Sequence, residues 1–191
     1  MAARSGERKA QILQVLAEML QDPKGEKITT AALAARLDVS EAALYRHFAS
    51  KAQMYEGLIA FIEESVFGLA NKISTEQESG MKQAHAIAAM LLTFAEKNPG
   101  MTRVLIGDVL LNEDVRLQAR INQFHDRLEA TLKQSLRLAV TQGQIDKDSD
   151  VAAQANLMLA FITGRWHQFA KSGFKRQPTE LWQKQGPMLL G

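Results

Sequence analysis

From Ile12 to Phe169 the apolar residues of this chain recur at spacings of three and four, which puts side chains on one face of an α-helix. The alternating runs bounded by hairpin turns that a sheet would need are missing. Pro and Gly are sparse and fall at natural breaks: "QDPKGEK" (21–27), "EKNPGM" (96–101), "TQGQID" (141–146) and "KSGFKRQP" (171–178). There is no internal repeat and no low-complexity segment. The pattern predicts an all-α fold.

A chain of 191 residues suits one or two domains with a sizeable core. It contains no cysteine, so disulfides and thiolate chemistry are excluded, and a reducing cytoplasm is the simple expectation. "MAARSGERKAQ" lacks the apolar centre of a signal peptide. No apolar run approaches the roughly 20 residues that span a bilayer. The formal charge is only +2, so any nucleic-acid footprint must be local.

The first fifty-odd residues are divided more finely than the rest. Ile12, Leu13, Leu16, Met19 and Leu20 form one face of a first helix, which ends at "QDPKG". In "ITTAALAARLDVSEAALYRHF", Thr29 or Thr30 can cap a short helix carrying Leu33 and Leu37, and Ser40 can cap a second one after "DVS". "SKAQ" (50–53) fits a capping box that opens a longer helix. Two short helices joined so tightly must cross steeply, as in a helix-turn-helix. Ala34 and Ala35 permit close approach, with Val39 and Leu44 as the shared core. A second helix of about eight residues, roughly 12 Å long, suits a major groove of about that width, entered by its N-terminal residues. Those are Glu41, Ala42 and Ala43. Alanines let the helix sit deep and meet thymine methyls, and Glu41 can accept from a cytosine amino group. Thr29, Thr30, Ser40, Tyr45, Arg46, His47 and Lys51 surround the helix ends, where hydroxyls, amides and cations hold phosphates. Residues 27–51 carry Lys27, Arg36, Arg46 and Lys51 against Asp38 and Glu41, four charges less two, or +2. The same spacing also fits a small helical subdomain with Tyr45 and Phe48 as core aromatics.

"TTAALAARLDVSEAALYRHFASK" resembles the DNA-binding domain of TetR-family regulators, whose recognition helix runs into a Leu-Tyr-x-His-Phe stretch and then a Lys. "LYRHF" (44–48) and Lys51 match that pattern, while Ala49 replaces the usual Pro. The resemblance implies phosphate contacts from the Thr pair, Tyr45, His47 and Lys51, and base reading by the front of the third helix. It implies a head over residues 1–52 and a helical regulatory and dimerisation body over 53–191.

In the body, Met54, Tyr55, Leu58, Ile62, Val66 and Leu69 share one face of a long helix; Phe61 lies at the edge of this stripe and Phe67 well away from it, and periodicity favours plain packing for both over a partner contact. A fifth helix over 81–98 stops at Asn98-Pro99-Gly100. Two long helices follow, striped by Leu117, Ile121, Phe124, Leu128, Leu132 and Leu136, then by Val151, Ala155, Met158, Leu159, Ile162, Trp166 and Phe169. Such stripes are core alone, or core plus a four-helix dimer interface, and a dimer suits the two half-sites of a palindrome. His47, His85, His125 and His167 form no metal-binding or di-iron spacing, and no phosphate loop or nucleophile elbow occurs. The chain is therefore read as no enzyme, with no cofactor or metal.

"MYEGLIAFIEESV", "EKNPGMTRVL", "RLQARINQFHDRLEATLKQSLR" and "FKRQPT" carry the likeness through the body. There the chain resembles the nucleoid-occlusion branch of the family. In that branch dimers bind chromosomal palindromes and, on DNA, antagonise polymers of the tubulin-like division protein FtsZ. The resemblance implies an FtsZ-binding surface that includes Phe61, Lys97 and Asn98, whereas Leu69, Met90 and Thr93 depart from it. It also implies a cytoplasmic, nucleoid-associated protein. A ligand-responsive repressor of the same fold is the alternative.

Overall fold

The computed structural model describes residues 2–22, 28–110 and 113–190, with side chains from Gly6 onward. The described residues form helices α1 (Ala2–Met19), α2 (Thr30–Arg36), α3 (Glu41–Tyr45), α4 (Lys51–Glu76), α5 (Gly80–Lys97), α6 (Pro99–Leu105), α7 (Val115–Thr141), α8 (Val151–Lys171) and α9 (Trp182–Leu190). No strand occurs among them. Lys27 and most of the "DPKGEK" break lie outside the described residues.

Helices α1 to α3 form a small unit closed over Ile12, Leu16, Leu20, Leu33, Leu44 and Phe48, all buried. Helix α4 packs against α1 and continues into a bundle with α5, α7 and α8, against which α6 and α9 lie. The expected α7 stripe, Leu117 to Leu136, is fully buried, as is the α8 stripe from Ala155 to Phe169. Both stripes are core, so they are not available to a partner. Polar anchors fix the bundle. The Trp166 indole N–H donates to the Leu91 carbonyl at 3.2 Å, and Arg120 forks onto Glu63 at 2.6 and 3.1 Å. Such buried or two-pronged bonds restrict geometry as well as adding stability.

Several expectations are corrected. α3 has five residues rather than about eight; Arg46 caps it, and the His47 and Phe48 amides close one last turn on the Leu44 carbonyl at 2.9 and 3.1 Å. Phe61, expected to be plain packing, is 50 % exposed, whereas Phe67 is packed as expected although it lies off the stripe. Phe67 is 5 % exposed, edge-on to Phe124 at 5.4 Å, with the Arg127 guanidinium over its ring at 3.7 Å. Leu69, assigned to the buried face, is 44 % exposed. The reason is that α4 is packed by α5 and by α7, so its apolar face is wider than one stripe and shifted toward α7. "NPG" does more than stop α5. Pro99, with no amide N–H to lose, occupies the first turn of α6, a position that suits proline. Neither α6 nor α9 was expected. The chain is already helical from Ala2, ahead of the first apolar residues of the α1 face.

Candidate nucleic-acid interface

The starts of α2, α3 and α4 are each capped by the residue the sequence offers. The Thr29 hydroxyl accepts from the Ala32 amide at 3.1 Å, Ser40 from Ala43 at 3.3 Å and Ser50 from Gln53 at 3.2 Å. The Gln53 side chain reaches back to the Ala49 amide at 2.8 Å, one residue before the cap, where the proline usual in the family could not donate. Between α2 and α3 the chain reverses through a Schellman turn. The Val39 amide donates to Ala34 at 3.0 Å and Asp38 to Ala35 at 3.2 Å, with Asp38 in the left-handed region at φ 53°. Asp is among the few residues other than Gly that tolerate this conformation. The turn sets the crossing of α2 and α3 and leaves Ala42 exposed and Ala43 half-buried at the front of α3.

Three of the expected site residues are brought together. The Thr30 hydroxyl donates to the Glu41 carboxylate at 2.5 Å, and the Tyr45 hydroxyl lies 3.5 Å from the same Thr30 oxygen. Tyr45 is 45 % exposed, so it is no core aromatic, whereas Phe48 is buried. Glu41 was expected to face a cytosine. Here it spans the starts of α2 and α3 and reinforces their angle. Thr29, Ser40 and Arg46 are exposed around this network, and His47 is half-buried.

Lys51 behaves differently. Its ammonium pairs with Glu113 at 2.5 Å, with side-chain exposures of only 20 % and 13 %, and lies 5.6 Å from the Tyr55 ring centre. Burial, with the Glu113 charge adding to it, pushes the Tyr55 phenol up to about 12. Glu113 lies 62 residues along the chain from Lys51, so no local spacing could have announced the pair. A second joint lies beside it. Arg103 of α6 reaches the Leu20 carbonyl at 3.4 Å and pairs with Asp108 at 3.4 Å, and Asp108 also receives Lys171 at 3.3 Å.

Of the residues expected to meet a protein partner, Phe61 is 50 % exposed on α4. Lys97 is exposed at the end of α5. α4 and α5 run antiparallel from the turn at 77–79, so the rise of 1.5 Å per residue puts Phe61 and Lys97 at similar heights, roughly 25 Å from that turn. Asn98 is committed to its own chain: its amide donates to the Phe94 carbonyl at 2.7 Å and closes α5. Met90 and Thr93 are half-buried. Burial lowers the tendency of His125 to take a proton, and its ring sits between those of Phe124 and Trp166. No helix among the described residues is long and apolar enough to cross a membrane.

Comparison with known proteins covers both halves of the chain. Residues 12–58 match the bacterial regulatory proteins of the tetR family, and residues 77–191 match the SlmA-like, tetracyclin repressor-like C-terminal domain. Among relatives, the nucleoid occlusion factor SlmA of Alteromonas mediterranea is 49% identical over 96% of this chain and 94% of its own. That of Idiomarina loihiensis is 48% identical over 97% and 94%. Among solved structures, a TetR transcription regulator from Haloarcula marismortui superposes with a TM-score of 0.80 at 15% identity, covering 97% of both chains. The regulator FadR from Bacillus subtilis in complex with stearoyl-CoA gives 0.76 at 14% identity, covering 95% of this chain and 97% of its own. At such identities these two show the fold alone. On the two domain matches and the near full-length identity, the chain belongs to the TetR family, in the group of the nucleoid occlusion factor SlmA.

Proposed function

We infer that this protein is a DNA-binding nucleoid occlusion factor that acts as a homodimer on chromosomal palindromes and, once bound, antagonises FtsZ polymers so that no division ring forms over the nucleoid. The observation that carries the reading is the identity of nearly one half sustained through the body, where regulators of this fold otherwise diverge. Residues 1–52 serve as the DNA-binding head and 53–191 as the dimerisation and partner-binding body.

In the head, Ala42 and Ala43 enter the major groove, and Glu41 reads bases only in so far as Thr30 releases it. Thr29, Thr30, Ser40, Tyr45, Arg46, His47 and Lys51 hold the backbone on either side. In the body, α8 carries an exposed line of Ala153, Leu157, Ala160 and Gly164 at spacings of four, three and four. Nothing stands against Gly164, and Leu157 is 55 % exposed. That line supports an α8-to-α8 contact between protomers, distinct from the buried stripe. Phe61 and Lys97 face the partner, an acidic FtsZ segment being the natural complement of Lys97 and the exposed Lys82. A ligand-responsive repressor is the second reading, and it rests on fold likeness alone.

The test is a pair of double variants. Thr29→Ala with Tyr45→Phe should weaken binding to a palindromic and to a scrambled duplex alike, because phosphate contacts carry no sequence information directly. Phe61→Ser with Lys97→Glu should leave DNA affinity intact and lower FtsZ antagonism. Full antagonism in the second variant would overturn the partner surface.

A further inference from the structure

The cation expected to hold a phosphate is, in the free chain, held by the body. Lys51 occupies the first residue of α4, directly after the Ser50 cap. A positive charge there opposes the helix dipole, so the position favours a lysine only if an anion meets it. Glu113 supplies that anion at 2.5 Å, and both groups are largely withdrawn from water. Glu113 itself directly precedes Asp114, the cap of α7, so its carboxylate lies at the positive end of a 27-residue helix. The carboxylate therefore keeps a favourable field even without Lys51. The lysine, by contrast, needs a replacement anion, and a backbone phosphate offers the same charge-assisted bond.

We propose that Glu113 is a positioning residue for DNA binding: it sequesters the Lys51 ammonium against the body in the free protein and yields it to a backbone phosphate on the duplex. This rests on the reading of Lys51 as a phosphate contact. The exchange opens the joint between the start of α4 and the start of α7, and by linkage anything that tightens this joint weakens DNA binding equally. The segment that ends in Glu113 begins at α6, on which α1 of the head also rests through Gly100 and Arg103. DNA occupancy is thereby reported to the body at one place.

The experiment is fluorescence anisotropy of the full-length protein on a scrambled duplex across a salt series, for the wild type, Glu113→Gln, Lys51→Gln and the double variant. Asp148→Asn, in the exposed loop before α8 at the far end of the body, controls for net charge. Glu113→Gln should bind several-fold more tightly than this control at the same salt slope, because the Lys51 phosphate is met in both complexes and only the cost of releasing the ammonium differs. Lys51→Gln should lose affinity and slope, and the double variant should match it. Glu113→Asp, drawn back by one methylene, should show the same sign with smaller size, and it keeps the test alive if the Gln variant does not fold. A merely structural ion pair would lower the melting temperature of Glu113→Gln without tightening DNA binding. If Lys51→Gln loses slope while Glu113→Gln and Glu113→Asp match the control and wild type in affinity, the phosphate contact stands and the positioning role is overturned. If Lys51→Gln keeps the wild-type slope, the phosphate contact fails and the proposal falls with it.

Discussion

Gly100 lies so close to Ala17 that a Cβ built on it would stand 1.9 Å from the Ala17 carbonyl oxygen. The obstacle is backbone, which cannot swing aside as a side-chain end can. The contact joins α6 of the body to α1 of the head without any side chain between them. Gly100→Ala should therefore cost at least the 1–3 kcal/mol typical of overpacking, read as a fall of about 2–4 °C in melting temperature per kcal/mol. DNA affinity should fall too, since α1 supports the helix pair. An unchanged melting temperature would contradict the contact.

The turn between α2 and α3 gives a sharper local test. Asp38 holds φ at 53° in a position where Gly is the usual occupant. Asp38→Gly should leave stability unchanged or slightly raised, whereas Asp38→Val should cost about 1–2 kcal/mol, because a branched Cβ clashes there. Urea denaturation of the two variants reads the difference. Equal stabilities would mean that the turn relaxes.

The caps, the short helix pair and the long stripes were legible because each is a local pattern: Thr29, Ser40 and Ser50 cap within three residues of their partners. What stayed hidden depends on distance along the chain or on more than one packing partner. Glu113 meets Lys51 across 62 residues, and no periodicity reports that. Leu69 was misplaced because α4 packs against both α5 and α7, so the face of strongest periodicity is not the buried face. Glu41 was assigned to a base from its place at the front of α3. Its bond to Thr30, eleven residues earlier, follows only from the crossing of the two helices.

Tyr55 makes stability depend on pH at the alkaline end. Its phenol is buried and held protonated up to about 12, against an ordinary value of 10.0. The unfolded chain gives up this proton first, so the contribution is complete below pH 10 and is lost as pH rises from 10 toward 12. The shift corresponds to about 2–3 kcal/mol. Tyr55→Phe should flatten that part of the stability profile in chemical denaturation. A wild-type profile with the same slope as the variant would contradict the burial of the hydroxyl.

Asn98→Ala should act on stability before it acts on any partner. Removing the 2.7 Å bond to Phe94 frees the last turn of α5 and should cost roughly 1 kcal/mol. Lys97→Glu, exposed beside it, should leave the melting temperature nearly unchanged. Calorimetry of both variants separates the helix cap from the surface charge, and the reverse order of effects would contradict this division.

The most direct test is light scattering of GTP-assembled FtsZ with the protein added, alone and with a palindromic duplex to which it binds. The account predicts a fall in polymer signal that grows when the specific duplex is present and is blunted by Phe61→Ser with Lys97→Glu. No fall in signal, under conditions where the duplex is demonstrably bound, would contradict it.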